Sequence, residues 1–87
     1  MSTSLDNRRK RILYQATHRG MKETDRIIGG FVTEKVAELS ELELSHLDAL
    51  LQQSDADILN WIYDRAVLPR DVNKAFFEMI KNFNKNL

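Results

Sequence analysis

The 87-residue sequence predicts an all-α fold, a small single-domain bundle of five short helices. Apolar residues recur at helical spacing, and no alternating pattern typical of strands is present. Helix start and stop signals follow one another at short intervals along the chain. The length and the 43% hydrophobic content suit one modest core. We therefore predict one domain over residues 1–87, with its core at about 5–84 and flexible ends.

The first two predicted helices meet at a glycine. Helix one is predicted at about residues 5–18 and helix two at about residues 22–38. Gly20 lies between them and suits the left-handed conformation that commonly ends a helix. Glu23 and Asp25 fall in the first turn of helix two, where acids favour the positive end of the helix dipole. The core-facing residues predicted for these helices are Ile12, Leu13, Ala16, Ile28, Phe31, Val32 and Val36.

Capping signals predict the other three helices. Residues 40–43 (Ser-Glu-Leu-Glu) form a capping box for helix three, which continues to about Leu51. Ser54 or Asp55 is predicted to cap helix four. Pro69, the only proline, suits a first helical turn and is predicted to open helix five. The predicted apolar positions are Leu44, Leu47, Leu50, Leu51, Ile58, Leu59, Trp61, Ile62, Val72, Phe76, Met79, Ile80 and Phe83.

Gly29 and Gly30 interrupt helix two. Each costs about 0.5–1 kcal/mol relative to alanine inside a helix. Close packing against another helix, or a slight bend, is the favoured explanation. The alternative is a flat spot where a partner approaches the backbone, and the sequence leaves both open.

Charge is unevenly distributed in a chain of zero net charge. Residues 1–22 carry six Lys and Arg against one Asp, residues 23–64 two against ten, and residues 65–87 five against two. Opposite charges in one small domain pair partly with each other, and the remainder steers association with a partner. This balance does not favour uniform affinity for nucleic acid.

The sequence also limits the location and the chemistry. With no cysteine, disulfides and thiolate metal sites are excluded, and His18 and His46 make a poor metal set. No apolar run approaches the roughly 18 residues of a membrane span, so no direct membrane insertion is predicted. Since no leader is recognised, a bacterial-type cytoplasmic location is predicted, with the mitochondrial matrix as the weaker alternative. No nucleophile and base are arranged for catalysis, so the chain is not expected to be an enzyme.

The junction of the first two helices carries the pattern Arg-Gly-x-x-Glu at residues 19–23, and Asp-x-Asp-x-x-x-Trp follows at residues 55–61. Together with Arg11 and Tyr14 before the junction, these patterns resemble the small assembly factors of succinate dehydrogenase, also called flavinylation factors. The resemblance covers about residues 8–80. Gln15 and His18 stand where many members have arginine, so the basic surface of this chain carries less positive charge.

The resemblance implies a five-helix factor that binds the flavoprotein subunit of succinate dehydrogenase, and in some members that of fumarate reductase. It also implies help with covalent attachment of FAD to a histidine of that subunit. The flavin and the client histidine would supply the chemistry. We expect no FAD bound stably to this chain, because the sequence has no recognisable phosphate-binding loop, and no metal. Because the outward apolar content is modest, we expect a monomer when the chain is free.

The residues around the junction are candidates for binding this client. Arg19 offers a planar donor fork, Gly20 a close backbone approach and Met21 an adaptable apolar contact. Glu23 is expected to accept hydrogen bonds from the client or to pair with Arg19. The full predicted partner-binding set is Arg11, Tyr14, Arg19, Gly20, Met21, Lys22, Glu23 and Asp25. The alternative is that Glu23 and Asp25 only favour the helix start while Arg19 is solvated.

Two other functions remain open from the sequence. The basic run at residues 8–11 suits phosphate contacts, so a small nucleic-acid-binding protein is the first alternative. A generic helical adaptor unrelated to flavin is the second. Against nucleic acid, no helix combines base-reading positions with an extended basic face.

Overall fold

Five α-helices build the chain in the computed structural model, which describes residues 6–85. They are α1 (Asn7–Thr17), α2 (Lys22–Lys35), α3 (Glu41–Leu51), α4 (Asp55–Ile62) and α5 (Lys74–Lys85), and a short 3₁₀ turn (Val36–Glu38) follows α2. The predicted all-α fold of five short helices is confirmed. The prediction of flexible ends falls mainly on residues 1–5 and 86–87, outside the described residues.

Polar side chains cap the helix starts. Asp6 accepts the backbone N–H of Arg9 at 2.8 Å and caps α1, which begins at Asn7, close to the predicted start at about residue 5. The capping box of Ser40 and Glu43 is present at α3 as predicted. Ser54, and not Asp55, caps α4. Each cap satisfies a backbone donor that the first turn of a helix leaves free.

The start of α5 differs from the prediction. Pro69 lies before the helix, and its carbonyl accepts the N–H of Val72 in a turn. Asn73 then accepts the N–H of Phe76 at 2.8 Å, and α5 begins at Lys74. An asparagine that satisfies a first-turn donor competes well with a proline that only fits the first turn.

The second helix ends earlier than predicted. The α-helix stops at Lys35, and the predicted last turn is the 3₁₀ segment instead. Arg9 donates from Nε to the carbonyl of Val36 at 3.0 Å and from Nη2 to the carbonyl of Leu39 at 2.7 Å. These bonds satisfy carbonyls that a continuing helix would have used, so they stabilise the change of direction into α3.

The core lies where α1, α2, α3 and α5 meet, and Ile58, Leu59 and Trp61 of α4 are part of it. Phe31 stands edge-on to Phe76 and Phe83, with ring centroids 5.9 and 5.6 Å apart. Met79, predicted to face the core, is 40% exposed, whereas Phe77 is buried against Trp61. The buried stripe of α5 is therefore rotated slightly from the predicted one. None of the described helices is long and apolar enough to cross a membrane.

The two consecutive glycines of α2 have different surroundings. A Cβ on Gly29 would lie 3.1 Å from the carbonyl oxygen of Ala16 and 3.2 Å from a methyl group of Thr17. Gly29 therefore lets α1 approach α2 closely, as the packing explanation predicts. A Cβ on Gly30 would meet nothing within 4 Å. The packing explanation thus accounts for Gly29 alone.

Candidate functional site

The connection between α1 and α2 is a tight turn of four residues, 18–21. Gly20 has φ +104°, a backbone conformation that residues with a side chain rarely adopt. Asp25, one turn into α2, accepts the backbone N–H of Arg19 at 2.6 Å. The turn therefore depends on a backbone conformation that suits glycine, and the carboxylate of Asp25 stabilises it through the backbone of Arg19. The predicted left-handed role of Gly20 is confirmed.

The guanidinium of Arg19 is folded inward, and only 10% of the side chain is exposed. Its Nε donates to Asp55 Oδ1 at 2.7 Å, its Nη1 to the carbonyl of Leu51 at 2.8 Å, and its Nη2 to the carbonyl of Gln53 at 2.5 Å. The donor fork predicted to meet a client thus binds a carboxylate and carbonyls of the chain itself. Arg19 ties the α1–α2 turn to the connection between α3 and α4, so the solvated alternative for this residue is wrong.

Asp55 is the residue that sequence reasoning missed. Its carboxylate pairs with Arg19, and only 13% of the side chain is exposed. The sequence signal is the Asp-x-Asp pattern, but at the level of sequence the capping of helix four accounts for Asp55 equally well. In the structure Ser54 takes the cap, which leaves Asp55 free to face the arginine. A carboxylate placed in this way is both charge partner and hydrogen-bond acceptor for a nearly buried guanidinium.

Glu23 is bound to Tyr63 and not to Arg19. The hydroxyl of Tyr63 donates to Glu23 Oε2. Within residues 6–85, Glu23 forms no ion pair, so of its two expected roles the pairing with Arg19 is wrong, and the binding of a client donor stays a prediction. The Arg65 guanidinium lies 5.1 Å from the centroid of the Tyr63 ring. The residues after α4 therefore position the last residue of the Arg-Gly-x-x-Glu pattern.

The residues of this site that are accessible to solvent form a surface that we call the α1–α2 edge. It consists of Tyr14, His18, Gly20, Met21 and Lys22, all exposed. The rings of Tyr14 and His18 stack with centroids 4.0 Å apart, and 63% of Tyr14 is exposed. Met21, three residues after His18 in the chain, is 42% exposed. An aromatic pair, a flexible thioether and a lysine around an open glycine make an amphipathic contact surface.

Most of the basic run of α1 is paired within the chain. Arg8 contacts Glu41 at 2.8 Å and Asp48 at 3.4 Å. Arg9 binds Asp6 and the two carbonyls described above. Arg11 is 58% exposed and lies 3.7 Å from Asp48, so it retains donors for a partner. These pairings leave fewer cations for phosphate contacts than the sequence suggested, which weakens the nucleic-acid alternative.

A comparison with protein families decides the classification. A family model described as flavinator of succinate dehydrogenase matches residues 10–84. This chain belongs to that family. The match covers almost all of the described helical domain and confirms the resemblance seen in the sequence.

Curated relatives agree with the family. The chain is 36% identical over 84 residues to the mitochondrial succinate dehydrogenase assembly factor 2 of Dictyostelium discoideum, covering 97% of this chain and 60% of that protein. It is 32% identical over 90 residues to the protein of the same name in Candida glabrata, covering 99% and 59%. It is 35% identical over 68 residues to the FAD assembly factor SdhE of Acetobacter pasteurianus, covering 78% and 62%. The chain thus spans about 60% of the length of these relatives.

These relatives correct the predicted location. The Dictyostelium and Candida proteins come from eukaryotes and are named as mitochondrial. The prediction of a bacterial-type cytoplasmic protein is therefore wrong. It depended on the first residues of the sequence, which do not decide the compartment.

Proposed function

We propose that this chain binds the flavoprotein subunit of succinate dehydrogenase and promotes covalent attachment of FAD to it. The single observation that supports this most strongly is the family match over residues 10–84. The name of the Acetobacter relative, an FAD assembly factor, supports the link to flavin. By analogy with the mitochondrial relatives, the proposed place of action is the mitochondrion.

The α1–α2 edge is the proposed contact surface for this client. Tyr14, Met21 and Lys22 are exposed there, and Gly20 lets another backbone approach. Arg11 extends the edge with a cation that is more than half exposed. An adaptable apolar centre with a charged rim is a composition typical of protein interfaces.

The inward residues of the pattern have a positioning role in this proposal. Arg19 is held by Asp55, Asp25 holds the backbone of the turn, and Tyr63 holds Glu23. The carboxylate of Glu23 keeps a second oxygen for a donor of the client. A preformed turn reduces the entropy lost when the two proteins associate.

The chemistry of attachment belongs to the client, because the flavin and the acceptor histidine lie there. The proposed contribution of this chain is to hold the client so that the two groups are aligned. Well-oriented intramolecular reactions gain up to about 7–11 kcal/mol over bimolecular ones, which sets the upper limit of such help. The proposal assigns no stably bound FAD to this chain.

Co-purification with a tagged flavoprotein subunit tests the proposal. The subunit is expressed with and without this chain, and covalent flavin is measured by fluorescence in a denaturing gel. We expect a complex and a higher flavin content when the chain is present. Partners that never include a flavoprotein would instead support a generic adaptor. The fumarate reductase flavoprotein, tested in parallel, decides whether it is a second client.

A further inference from the structure

A surface pocket of about 230 Å³ lies between α2, the end of α4 and the last turns of α5. Ile27 and Ile62 provide an apolar floor, and Arg26, Lys81 and Lys85 provide cations around it. No acidic side chain lines this pocket within residues 6–85. Cations beside an apolar, low-dielectric surface attract an anionic group more strongly than cations in open solvent.

Two of the three cations are available to a partner. Lys81 pairs with Asp64 at 2.9 Å, on the side of the pocket that faces the α4–α5 connection. Arg26 and Lys85 have no carboxylate within 4.0 Å among the described residues. Lys85 lies in the last turn of α5, where the negative end of the helix dipole stabilises a cation. Arg26 lies in the first half of α2, so the helix dipole does not explain a cation there.

The pocket wall also contains an acceptor without a donor. Asn84 donates from Nδ2 to the carbonyls of Ile27 and Ile80, at 3.3 and 2.8 Å, and these bonds fix the orientation of its amide. Its Oδ1 is buried and accepts no hydrogen bond from residues 6–85. A buried acceptor without a partner costs free energy, and an occupant that brings an N–H group would satisfy it after a small movement.

This pocket adjoins the candidate site. Tyr63 lines it, and the hydroxyl of the same residue donates to Glu23. Arg26 follows Glu23 by three residues on α2, so the two side chains lie on neighbouring positions of one helix face. The pocket is thus connected to the α1–α2 edge through Glu23, which directly follows Lys22 of that edge.

We propose that the pocket receives an acidic segment of the client flavoprotein. An apolar side chain of the segment lies on Ile27 and Ile62, and a neighbouring carboxylate faces Arg26 and Lys85. A polypeptide also brings backbone N–H groups, which reach the buried Asn84 Oδ1 once this amide turns toward the pocket, whereas a free inorganic anion brings no such donor. This inference depends on the proposed function, because the segment belongs to the proposed client.

The first test removes the two available cations. The variant Arg26→Gln/Lys85→Gln is compared with Arg70→Gln/Lys74→Gln, which loses the same charges from exposed residues that line neither the pocket nor the α1–α2 edge. The affinity for the purified flavoprotein subunit is measured by calorimetry at low and high salt. We expect the pocket variant to bind about three- to tenfold more weakly at low salt, with a smaller difference at high salt.

Equal affinity of the pocket variant and its control would overturn the inference. If the wild-type chain itself does not bind the subunit, the proposed function fails instead, so the two failures are distinguishable. Circular dichroism checks that both variants keep their helices.

The second test uses the wild-type complex and needs no variant. A carbodiimide joins lysine amines to carboxylates that touch them, and mass spectrometry identifies the joined peptides. We expect Lys85 to be joined to an Asp or Glu of the subunit, beside an apolar residue, and Lys74, at the other end of α5, to be joined to none. A complex in which Lys85 is joined to no carboxylate of the subunit would contradict the inference.

Discussion

At the scale of single residues, Arg19 holds the candidate site together. One guanidinium binds a carboxylate and two backbone carbonyls of the α3–α4 connection. A lysine has one ammonium in place of this planar fork, so it cannot make the same three contacts in the same directions. The exposed residues of the turn, Met21 and Lys22, are therefore positioned by a residue that is itself hidden.

Replacing Arg19 tests this role. We expect Arg19→Ala to lower the free energy of unfolding by roughly 2–4 kcal/mol, because three charge-assisted hydrogen bonds are lost and Asp55 is left nearly buried without a partner. Arg11→Ala is the control, since this arginine is exposed and makes one long contact. Both free energies of unfolding are measured by urea titration, and that of Arg11→Ala should fall by less than about 1 kcal/mol. Similar losses for the two variants would show that Arg19 is not a structural link.

Tyr63 and Glu23 form a second link, and a double-mutant cycle measures it. We expect Tyr63→Phe and Glu23→Ala each to lower the free energy of unfolding by about 0.5–1.5 kcal/mol, and the double variant to lose less than the sum. Tyr14→Phe is the matched control for stability, because the Tyr14 hydroxyl has no hydrogen-bond partner within residues 6–85. Strictly additive losses in the cycle would mean that the two side chains do not interact in solution.

At the scale of elements, the packing of α1 on α2 determines where the turn lies. Gly29 brings the α2 backbone close to the carbonyl of Ala16 and to Thr17, the last residues of α1. The turn at residues 18–21 begins directly after this contact. The approach of the two helices and the geometry of the candidate site are therefore coupled.

Alanine substitutions at the two glycines should have different effects. Gly30→Ala is expected to raise the free energy of unfolding by about 0.5–1 kcal/mol, because a methyl group there meets nothing and alanine favours the helix. Gly29→Ala should be at least about 1 kcal/mol less stable than Gly30→Ala, because its methyl group crowds a backbone carbonyl of α1. If chemical denaturation shows equal increases in the free energy of unfolding for the two variants, the close-packing explanation is refuted.

The same Gly30→Ala variant tests the partner explanation for Gly30. If a partner backbone approaches this residue, affinity for the flavoprotein subunit falls although stability rises. An affinity equal to that of the wild type excludes such an approach. The two measurements on one protein separate folding from binding.

The α4–α5 connection is fastened to α5 by Asp64 and Lys81. A hydrogen bond from Lys81, together with its charge, holds the pKa of Asp64 below the ordinary 3.8, and the same hydrogen bond raises the pKa of Lys81 above 10.5. The stabilisation from Asp64 is thus fully present above its ordinary pKa and is lost as pH falls through the lowered value. The stabilisation from Lys81 is fully present below the ordinary pKa of this group and is lost as pH rises through the raised pKa.

This pair predicts the pH dependence of one variant. Asp64→Asn keeps a residue type that tolerates the positive φ of 57° at this position. The variant should be less stable than the wild type near neutral pH, and the difference should shrink as pH falls below 3.8. Unfolding curves between acid and neutral pH measure it, with Asp71→Asn as an exposed control. A difference that does not change with pH would contradict the account.

At the scale of the whole molecule, local signals predicted the fold well and the contacts of the site poorly. Caps such as Ser40 and a glycine at positive φ act within one turn of the chain, so a sequence pattern reveals them. The partner of Arg19 is 36 residues away at Asp55, and the partner of Glu23 is 40 residues away at Tyr63. Which charges meet across that distance depends on how the helices pack, and the pattern of residues does not determine it.

The distribution of charge has the same dependence on packing. The basic run at residues 8–11 suggested an outward cationic surface, but Arg8 and Arg9 are largely occupied by acids and carbonyls at residues 36–48. The cations that remain available among the described residues include Arg26 and Lys85, which lie at the α2–α5 pocket. The electrostatic surface offered to a partner is therefore different from the one that the sequence suggested.

The central claim is that the α1–α2 edge docks a flavoprotein subunit and speeds its flavinylation. A reconstituted reaction with purified subunit and free FAD tests it most directly, by following covalent flavin fluorescence over time. We expect the wild-type chain to accelerate attachment and Met21→Ser/Lys22→Gln, a variant of two exposed residues, to accelerate it much less while remaining folded. The same time course with and without the wild-type chain, or full activity of the edge variant, would contradict the account.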